Sequence, residues 1–114
     1  MMRSPLRGEI WITDFDPAQG HEQAGIRPAL VISVDPFNTS TAKLAVVLPL
    51  TSRDKHIRTQ VPVQSPEGGL MQLSFIKCED VRSLSISRLI KRLGVVREDT
   101  LEAVEMRLRL LLGL

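Results

Sequence analysis

The chain has 114 residues, enough for one domain built on one modest hydrophobic core. Hydrophobic residues make up 43% of it and charged residues 25%, as in ordinary globular proteins, and the net charge of +2 permits nucleic-acid binding without identifying it. A single cysteine, Cys78, excludes an internal disulfide and a multi-cysteine zinc site, and we expect it to be a small buried residue. Because neither a signal region nor a run of about 20 apolar residues is present, we expect a single domain, 1–114, in the cytoplasm.

Three strands are predicted in the first half of the chain. Residues 8–15 carry apolar side chains on both alternating faces, and they include the only tryptophan, Trp11, which we expect in the core. A short apolar run at 29–34 predicts the second strand. The third, 44–50, is almost entirely apolar, which is typical of a strand that is buried on both faces.

Shorter strands are predicted in the second half. A charged connection at 53–58 leads to alternating sequences at 59–64 and 70–77, which a tight turn separates. Residues 79–84 predict one more short strand, and 88–96 form a basic stretch with apolar alternation.

The last segment is predicted to be an amphipathic α-helix. Its apolar residues follow the spacing of one helical face: Leu101, Val104, Leu108, Leu111 and Leu112. Asp99, three residues before Glu102, forms a predicted capping pair with it. Short strands followed by one helix predict a mainly β fold with a C-terminal α-helix, arranged as a small, partly open β-barrel.

A polar loop at 18–25 leads into the second predicted strand through Arg27 and Pro28. Proline restricts the residue before it to an extended backbone, so Arg27 is held at a defined place beside a glycine-containing loop. The planar donor fork of a guanidinium is suited to binding a phosphate. Arg27 is therefore a candidate phosphate-binding residue, although a solvated surface arginine fits the same pattern.

Several motifs occur in a fixed order along the chain. They are Arg7-Gly8-Glu9-Ile10-Trp11, Asp16-Pro17, Gly20-His21-Glu22-Gln23-x-Gly25-x-Arg27-Pro28, Phe37-Asn38, Val46-Val47-Leu48-Pro49-Leu50-Thr51-Ser52 and Lys77-Cys78-Glu79-Asp80-Val81-Arg82-Ser83. In this order they resemble the MazF/PemK/ChpB toxins, which are messenger-RNA interferases of bacterial toxin–antitoxin modules. The resemblance implies an SH3-like barrel of the CcdB/MazF type, a homodimer, and a cognate antitoxin protein whose disordered segment fills the RNA groove.

The resemblance also implies a sequence-selective endoribonuclease that cuts single-stranded messenger RNA. In the expected reaction the ribose 2′-hydroxyl attacks the adjacent phosphate and leaves a 2′,3′-cyclic phosphate and a 5′-hydroxyl. Such cleavage needs a base for the 2′-hydroxyl, an acid for the leaving oxygen and positive charge for the phosphorane. The sequence carries no metal-ligand spacing and no phosphate-loop motif, so we expect neither a metal nor a cofactor.

Five residues are candidates for catalysis. Arg27 would supply the charge and Thr51 a hydrogen bond to the same phosphate, and the resemblance makes these two the most widely shared catalytic positions of the family. Lys77 and Glu79 would project from one face of a strand, with Glu79 as the base and Lys77 assisting the leaving oxygen. His21 is the alternative base. The PemK branch has arginine and aspartate in place of Lys77 and Glu79, so these roles stay open.

Purely structural roles are an alternative for some of the same residues. Thr51 could be a strand-end hydroxyl that is bonded to its own backbone, and Lys77 and Glu79 could form a salt bridge.

A second group of polar residues is expected to bind RNA: Glu22, Gln23, Ser52, Arg53, Lys55, His56, Arg58 and Arg82. Glu22 and Gln23 would shape the loop or contact bases, whereas the cations would contact backbone phosphates. Two other functions stay open. One is a CcdB-like poison of DNA gyrase, against which the absence of a C-terminal tryptophan counts. The other is an RNA-binding barrel that has lost activity.

Overall fold

The computed structural model describes residues 4–114, and in this part of the chain seven strands precede one long helix. The strands are β1 Glu9–Asp14, β2 Ile26–Val31, β3 Leu44–Thr51, β4 Gln60–Val63, β5 Ser74–Lys77, β6 Arg82–Ser85 and β7 Leu89–Val95. The helices are a single turn, α1 Asp35–Asn38, and α2 Glu98–Leu112. Residues 1–3, which belong to the predicted domain 1–114 and to the segment expected to lack a signal region, lie outside the described residues.

The strands form one antiparallel sheet with the order β4-β5-β3-β2-β1-β7, and β6 pairs with β3 beside this path. The sheet does not close, because β4 and β7 end the path without pairing to each other. This architecture confirms the prediction of a mainly β, partly open barrel with a C-terminal helix. None of the helices in residues 4–114 has the length and hydropathy needed to cross a membrane.

Strand β3 is the hub of the sheet. Its first half pairs with β6 from Leu44 to Val47, and its last two residues, Leu50 and Thr51, pair with β5. Pro49 lies between the two paired stretches, where β3 changes partner on that side. A residue without a backbone N–H is tolerated best at such an interruption of a ladder.

Both faces of β3 are buried, as predicted from its apolar sequence. Leu48 and Leu50 belong to one core cluster together with Val104 of α2. Val47 belongs to the other cluster, which contains Trp11, so the tryptophan is in the core as expected. The helix thus covers one face of the sheet, and the second cluster lies on the other face.

Helix α2 is only partly the buried amphipathic element that its sequence predicts. Val104 is fully buried and Leu101 and Leu108 are partly buried, whereas Leu111 and Leu112 are 41% and 53% exposed. The apolar stripe therefore continues past the end of the sheet that the helix covers. Gly113 ends the helix with a φ of 73°, a left-handed conformation that glycine adopts without strain.

The predicted capping pair is wrong. The helix begins at Glu98, so Asp99 lies within its first turn and binds the Arg97 guanidinium at 2.9 Å. Glu67, from a turn far away in sequence, instead accepts hydrogen bonds from the Arg97 backbone N–H at 3.0 Å and from Thr100 Oγ1 at 2.6 Å. The carboxylate of Glu67, which is distant in sequence, therefore caps the N-terminus of the helix in place of a local side chain.

Strands β2 and β5 differ clearly from their predicted ranges, 29–34 and 70–77. Strand β2 begins at Ile26 instead of residue 29, because β1 pairs with it as far as Asp14 opposite Ile26. It ends at Val31, where Ser33 turns its hydroxyl toward the backbone N–H of Val46 and interrupts the ladder. Strand β5 is shorter than 70–77.

The predicted strand 79–84 is wrong in its first half. Cys78–Asp80 form a 3₁₀ turn, and the strand starts only at Arg82. The turn is stabilised by long-range bonds of Asp80, described below, which no local alternation indicates.

Candidate functional site

The register of β2 and β3 brings the two main candidates together. Ala29 of β2 is paired with Pro49 of β3. Arg27 lies two residues before Ala29, and Thr51 lies two residues after Pro49. Because the strands are antiparallel and side chains alternate, Arg27 and Thr51 point to the same side at the same end of the sheet.

Arg27 and Thr51 line one cavity of about 280 Å³, which we call the cationic cavity. Its lining residues are Gln23, Arg27, Thr51, Ser52, Arg53, Lys55 and Lys77. Four of these seven are cations and none is acidic. Such a cavity is suited to an anion that presents several oxygens to the surrounding donors.

Arg27 and Thr51 make only weak or local hydrogen bonds in the cationic cavity. Arg27 is exposed, and its Nε lies at a long 3.5 Å from the carbonyl of Ala24. Thr51 Oγ1 accepts a hydrogen bond from the Arg53 backbone N–H at 3.2 Å, which is the local bond considered as the alternative for this hydroxyl. A hydroxyl that accepts still has its own proton to donate, so Thr51 can bond a ligand as well.

A second cavity of about 430 Å³ adjoins the first, and we call it the mixed cavity. Its lining residues are His21, Glu22, Lys55, Ile57, Gln60, Lys77, Glu79 and Asp80. Lys55 and Lys77 line both cavities, so these two lysines stand between them. Unlike the cationic cavity, the mixed cavity has three carboxylates and an apolar side chain.

Lys77 and Glu79 reach the mixed cavity from different elements, so the predicted strand geometry is wrong for this pair. Lys77 is the last residue of β5 and is 8% exposed, whereas Glu79 lies in the 3₁₀ turn that follows. The ion-pair partner of Lys77 is Asp80, whose Oδ2 is 3.8 Å from Nζ, and Nζ also donates to Gln23 Oε1 at 3.3 Å. A lysine and a carboxylate are nevertheless present in one cavity.

Two hydrogen bonds orient the Glu79 carboxylate. The donors are Thr59, just before β4, and Gln60, the first residue of β4. Its Oε1 accepts from Thr59 Oγ1 at 2.8 Å, and its Oε2 accepts from Gln60 Nε2 at 2.7 Å. Each carboxylate oxygen retains a lone pair for a further donor. The carboxylate is thus held in one orientation at the wall of the mixed cavity.

Gln60 was not expected at the site. It pairs with Lys77 across β4 and β5, and only 6% of its surface is exposed. Because its Nε2 must face Glu79, its Oε1 faces away from that carboxylate and has no hydrogen-bond partner among the described residues, 4–114. Leaving a buried acceptor unpaired costs about 1–3 kcal/mol, so the group calls for a functional explanation.

Gln23, Asp80 and Arg82 form a cluster that we call the loop clamp. It holds the loop 18–25 beside both cavities. Asp80 Oδ2 accepts from the Gln23 backbone N–H at 2.8 Å and from Arg82 Nη2 at 2.9 Å. Arg82 Nη2 also donates to the Gln23 carbonyl at 3.0 Å, and its guanidinium lies 4.6 Å from the ring centroid of Phe15. In this structure Arg82 supports the loop and lines neither cavity, and the phosphate contact expected from the sequence stays a prediction.

Other candidates lie at the edge of the site or outside it. His21 is exposed and lines the mixed cavity, as does Glu22, whose Oε1 accepts from the Gln19 backbone N–H at 2.7 Å. His56 and Arg58 are exposed and line neither cavity. Within residues 4–114, no three His, Cys, Asp or Glu side chains come together as candidate metal ligands.

Comparison with known proteins identifies similar chains over nearly the whole length. The family model described as PemK-like, MazF-like toxin of type II toxin–antitoxin system matches residues 6–112. The chain is 38% identical over 108 residues to the endoribonuclease PemK of Escherichia coli, covering 93% of this chain and 80% of PemK.

Two solved structures extend this similarity. The crystal structure of MazF from Deinococcus radiodurans has a TM-score of 0.88 and 33% identity, covering 99% of this chain and 100% of that one. A crystal structure of the MazE–MazF complex from the same organism has a TM-score of 0.82 and 33% identity, covering 99% of both chains.

Proposed function

The chain belongs to the PemK-like, MazF-like toxins of type II toxin–antitoxin systems, and we propose that it is an endoribonuclease that cuts single-stranded RNA without a metal ion. The observation that carries the proposal is that Arg27 and Thr51 line one cavity together with three further cations and no acid. The MazF and PemK relatives support the reaction class, since PemK is an endoribonuclease.

The scissile phosphate would bind in the cationic cavity. Arg27 would grip two of its oxygens with its donor fork, and Thr51 would donate its hydroxyl proton to one of them. When the phosphorane forms, its additional negative charge would be stabilised by the same donors, which are already in place in the free chain. Ser52, Arg53 and Lys55 would extend the binding along the RNA backbone.

The mixed cavity would supply the proton transfers. The 2′-oxygen attacks the phosphorus and its proton passes to Glu79, with His21 as the alternative base. The bond between phosphorus and the 5′-oxygen breaks, and Lys77 gives a proton to that oxygen as it leaves. The products are a 2′,3′-cyclic phosphate and a 5′-hydroxyl, and no water is consumed in this step.

Further contacts and partners complete the proposal. Glu22 and Gln23 would contact bases, and His56 and Arg58 would meet phosphates beyond the two cavities. The chain would act in the cytoplasm as a growth-inhibiting toxin, and it would be a homodimer held by a cognate antitoxin, as the similarity to the MazE–MazF complex supports. Exposed apolar side chains at the end of α2, such as Leu110 at 79% and Leu114 at 81%, support burial against another chain.

Incubation of the purified protein with a long single-stranded RNA tests the function. Cleavage should persist in excess EDTA, and mass spectrometry of the fragments should detect a cyclic phosphate and a 5′-hydroxyl. Replacing the ribose 5′ of the cut phosphate with deoxyribose should abolish the cut. A 5′-phosphate product or cutting of an all-DNA strand would contradict the proposed reaction, and RNA binding without any cleavage would indicate an inactive barrel.

A further inference from the structure

Gln60, which lines the mixed cavity, carries a buried acceptor with no hydrogen-bond partner among residues 4–114. The Gln60 amide is oriented by its 2.7 Å bond from Nε2 to Glu79, so the oxygen cannot be exchanged for the nitrogen without losing that bond. Within residues 4–114, Oε1 is then left without a partner in a side chain that is more than nine-tenths buried. A ligand that enters the cavity and offers an N–H donor to this oxygen would satisfy it.

The other residues that line the mixed cavity restrict which chemical class of ligand can bind there. Glu22 and Glu79 add carboxylate acceptors, whereas Lys77 and Lys55 add donors for a ligand oxygen. Ile57 contributes an apolar surface that fits the face of a ring. A flat, polar, donor-rich ring fits such a wall, and the bases of single-stranded RNA are splayed out and bound in this manner by proteins.

We propose that the mixed cavity binds a guanine base of the RNA next to the cut phosphate, with Gln60 as the specificity-determining residue. This inference rests on the proposed function, because the phosphate in the cationic cavity sets the position of the neighbouring base. The Watson–Crick edge of guanine has a ring N–H beside an amino group, and these donate to Gln60 Oε1 and to the Glu22 carboxylate, which leaves Glu79 for the 2′-hydroxyl. Its O6 accepts from Lys55, at the border of the two cavities, which leaves Lys77 for the departing 5′-oxygen.

The other bases fit this wall less well. Adenine and cytosine place a lone amino donor beside ring acceptors, and uracil has one N–H between two carbonyl oxygens. Each of them would leave an acceptor of the cavity unpaired or would face a carboxylate with a carbonyl. A site built to hydrogen-bond a group discriminates strongly against an analogue that lacks it.

Guanine binding requires a small rearrangement. Gln60 Oε1 is covered in the ligand-free chain, so a base can reach it only if a side chain at the mouth of the cavity moves. Lys55 and Ile57 belong to the connection 52–58, in which every side chain is exposed. We assign the movement to this connection, because the buried Lys77 is held by Asp80 and Gln23.

The test on the substrate side measures binding and does not depend on cleavage. Short single-stranded oligomers with 2′-fluoro sugars, which lack the nucleophile, carry guanine, inosine, adenine, cytosine or uracil at one position of an otherwise constant strand. The protein should bind the guanine strand at least about tenfold more tightly than the others, including inosine, which lacks the amino group. Free guanosine monophosphate should compete only weakly, because it lacks the neighbouring strand.

The test on the protein side uses two matched variants. Gln60→Met keeps the length of the side chain and removes both the acceptor and the bond to Glu79, whereas Thr59→Val removes only the other bond to Glu79. Gln60→Met should bind the guanine, adenine, cytosine and uracil strands within about twofold of one another, and Thr59→Val should keep the preference for guanine. Thermal melting of both variants establishes that they are folded, and the inosine comparison in the wild-type protein decides the question if Gln60→Met does not fold.

The outcomes separate the two proposals. Equal binding of the five strands, an inosine strand as tight as guanine, or a guanine preference that survives in Gln60→Met would overturn this inference. Free guanosine monophosphate that binds as tightly as the strand would also overturn it and would point to a nucleotide site. A map of cuts on a long RNA without guanine beside the cut sites counts against the inference and leaves the endoribonuclease intact. A guanine preference without cleavage of any RNA refutes the endoribonuclease alone.

Discussion

Arg27 shows how one side chain can be important for a reaction and unimportant for folding. It is exposed, and its Nε makes only one long contact, to the carbonyl of Ala24. Its neighbour Ala29 is buried, however, and pairs with both β1 and β3, so the backbone beside Arg27 is fixed. A charged group on a rigid strand is thereby presented to the cationic cavity with little cost in reorganisation.

Arg27→Ala should lose about 3 kcal/mol or more of transition-state stabilisation, as is typical when a key donor to a developing negative charge is removed. Its melting temperature should match that of the wild type, because the lost contact is exposed. Arg27→Lys should recover part of the activity, since it keeps the charge without the fork. The rates of RNA cleavage and the melting curves measure both effects. Arg109→Ala on α2, which lines neither cavity, is the control, and wild-type rates in Arg27→Ala would contradict the role.

Cys78 illustrates the opposite case of a reactive group made inert by its surroundings. It is fully buried, and this burial, with a smaller contribution from the charge of Glu79, raises the pKa of its thiol to about 12. The thiolate is the reactive form, so the folded protein should resist alkylation by a maleimide at mildly alkaline pH. Mass spectrometry should find one label per chain only after denaturation. Rapid labelling of the native protein would show that the turn Cys78–Asp80 opens readily.

At the scale of structural elements, the loop clamp fixes the conformation of the loop 18–25. Asp80 and Arg82 bind both the N–H and the carbonyl of Gln23, and the Gln23 side chain is also bonded to Lys77. The same loop carries His21 and Glu22 into the mixed cavity. The clamp thus connects the 3₁₀ turn after β5 with the part of the site that the sequence alone leaves as a flexible loop.

Asp80→Asn should loosen this loop without unfolding the sheet. Hydrogen bonds to a charged group contribute about 1.5–3 kcal/mol, and the asparagine keeps the shape and loses the charge that binds Arg82. Amide hydrogen exchange of residues 19–25 should accelerate, and KM for RNA should rise. Asp54→Asn, in the exposed connection, should leave the exchange of the loop unchanged. Identical exchange in Asp80→Asn and the wild type would mean that other contacts hold the loop.

Helix α2 contributes stability through a few side chains in its middle. Val104→Ala removes two methyl groups from a fully buried position between the helix and the sheet. We expect a loss of about 2 kcal/mol in the free energy of unfolding, from lost burial and from the cavity left behind. Chemical denaturation measures it. Glu102→Ala, on the exposed side of the same helix, should change the stability by less than about 0.5 kcal/mol.

At the scale of the whole molecule, the cationic and mixed cavities lie side by side and together present an exposed, charged surface. A flexible acidic segment of an antitoxin could cover such a surface by folding on it. The solved MazE–MazF complex is a structural precedent from a similar toxin.

An equimolar amount of the cognate antitoxin should suppress RNA cleavage, and the complex should protect the mouths of both cavities from hydrogen exchange. Addition of salt should weaken RNA binding, because phosphate contacts release counterions. The same protein with an unrelated acidic polypeptide is the control. Undiminished cleavage in the presence of the bound antitoxin would place the antitoxin elsewhere on the surface.

Local patterns determined much of the fold. The apolar run of β3, the burial of Trp11 and Cys78, and the helical spacing of Leu101, Val104 and Leu108 were all predicted from residue type and spacing alone. The extended backbone of Arg27 before Pro28 belongs to the same class. Ordered motifs were also sufficient to recognise the family, whose model matches residues 6–112.

Only the tertiary structure decided how the site is assembled. The approach of Arg27 to Thr51 depends on the register of two strands, and the partner of Lys77 is Asp80 because a 3₁₀ turn replaces the predicted strand. The burial of Gln60, and the unpaired state of its oxygen, depend on β5 and the turn after it, which are distant in sequence. Periodicity records which residues are apolar. It does not record which distant segment will cover a polar side chain, and that covering determines whether its hydrogen bonds are satisfied.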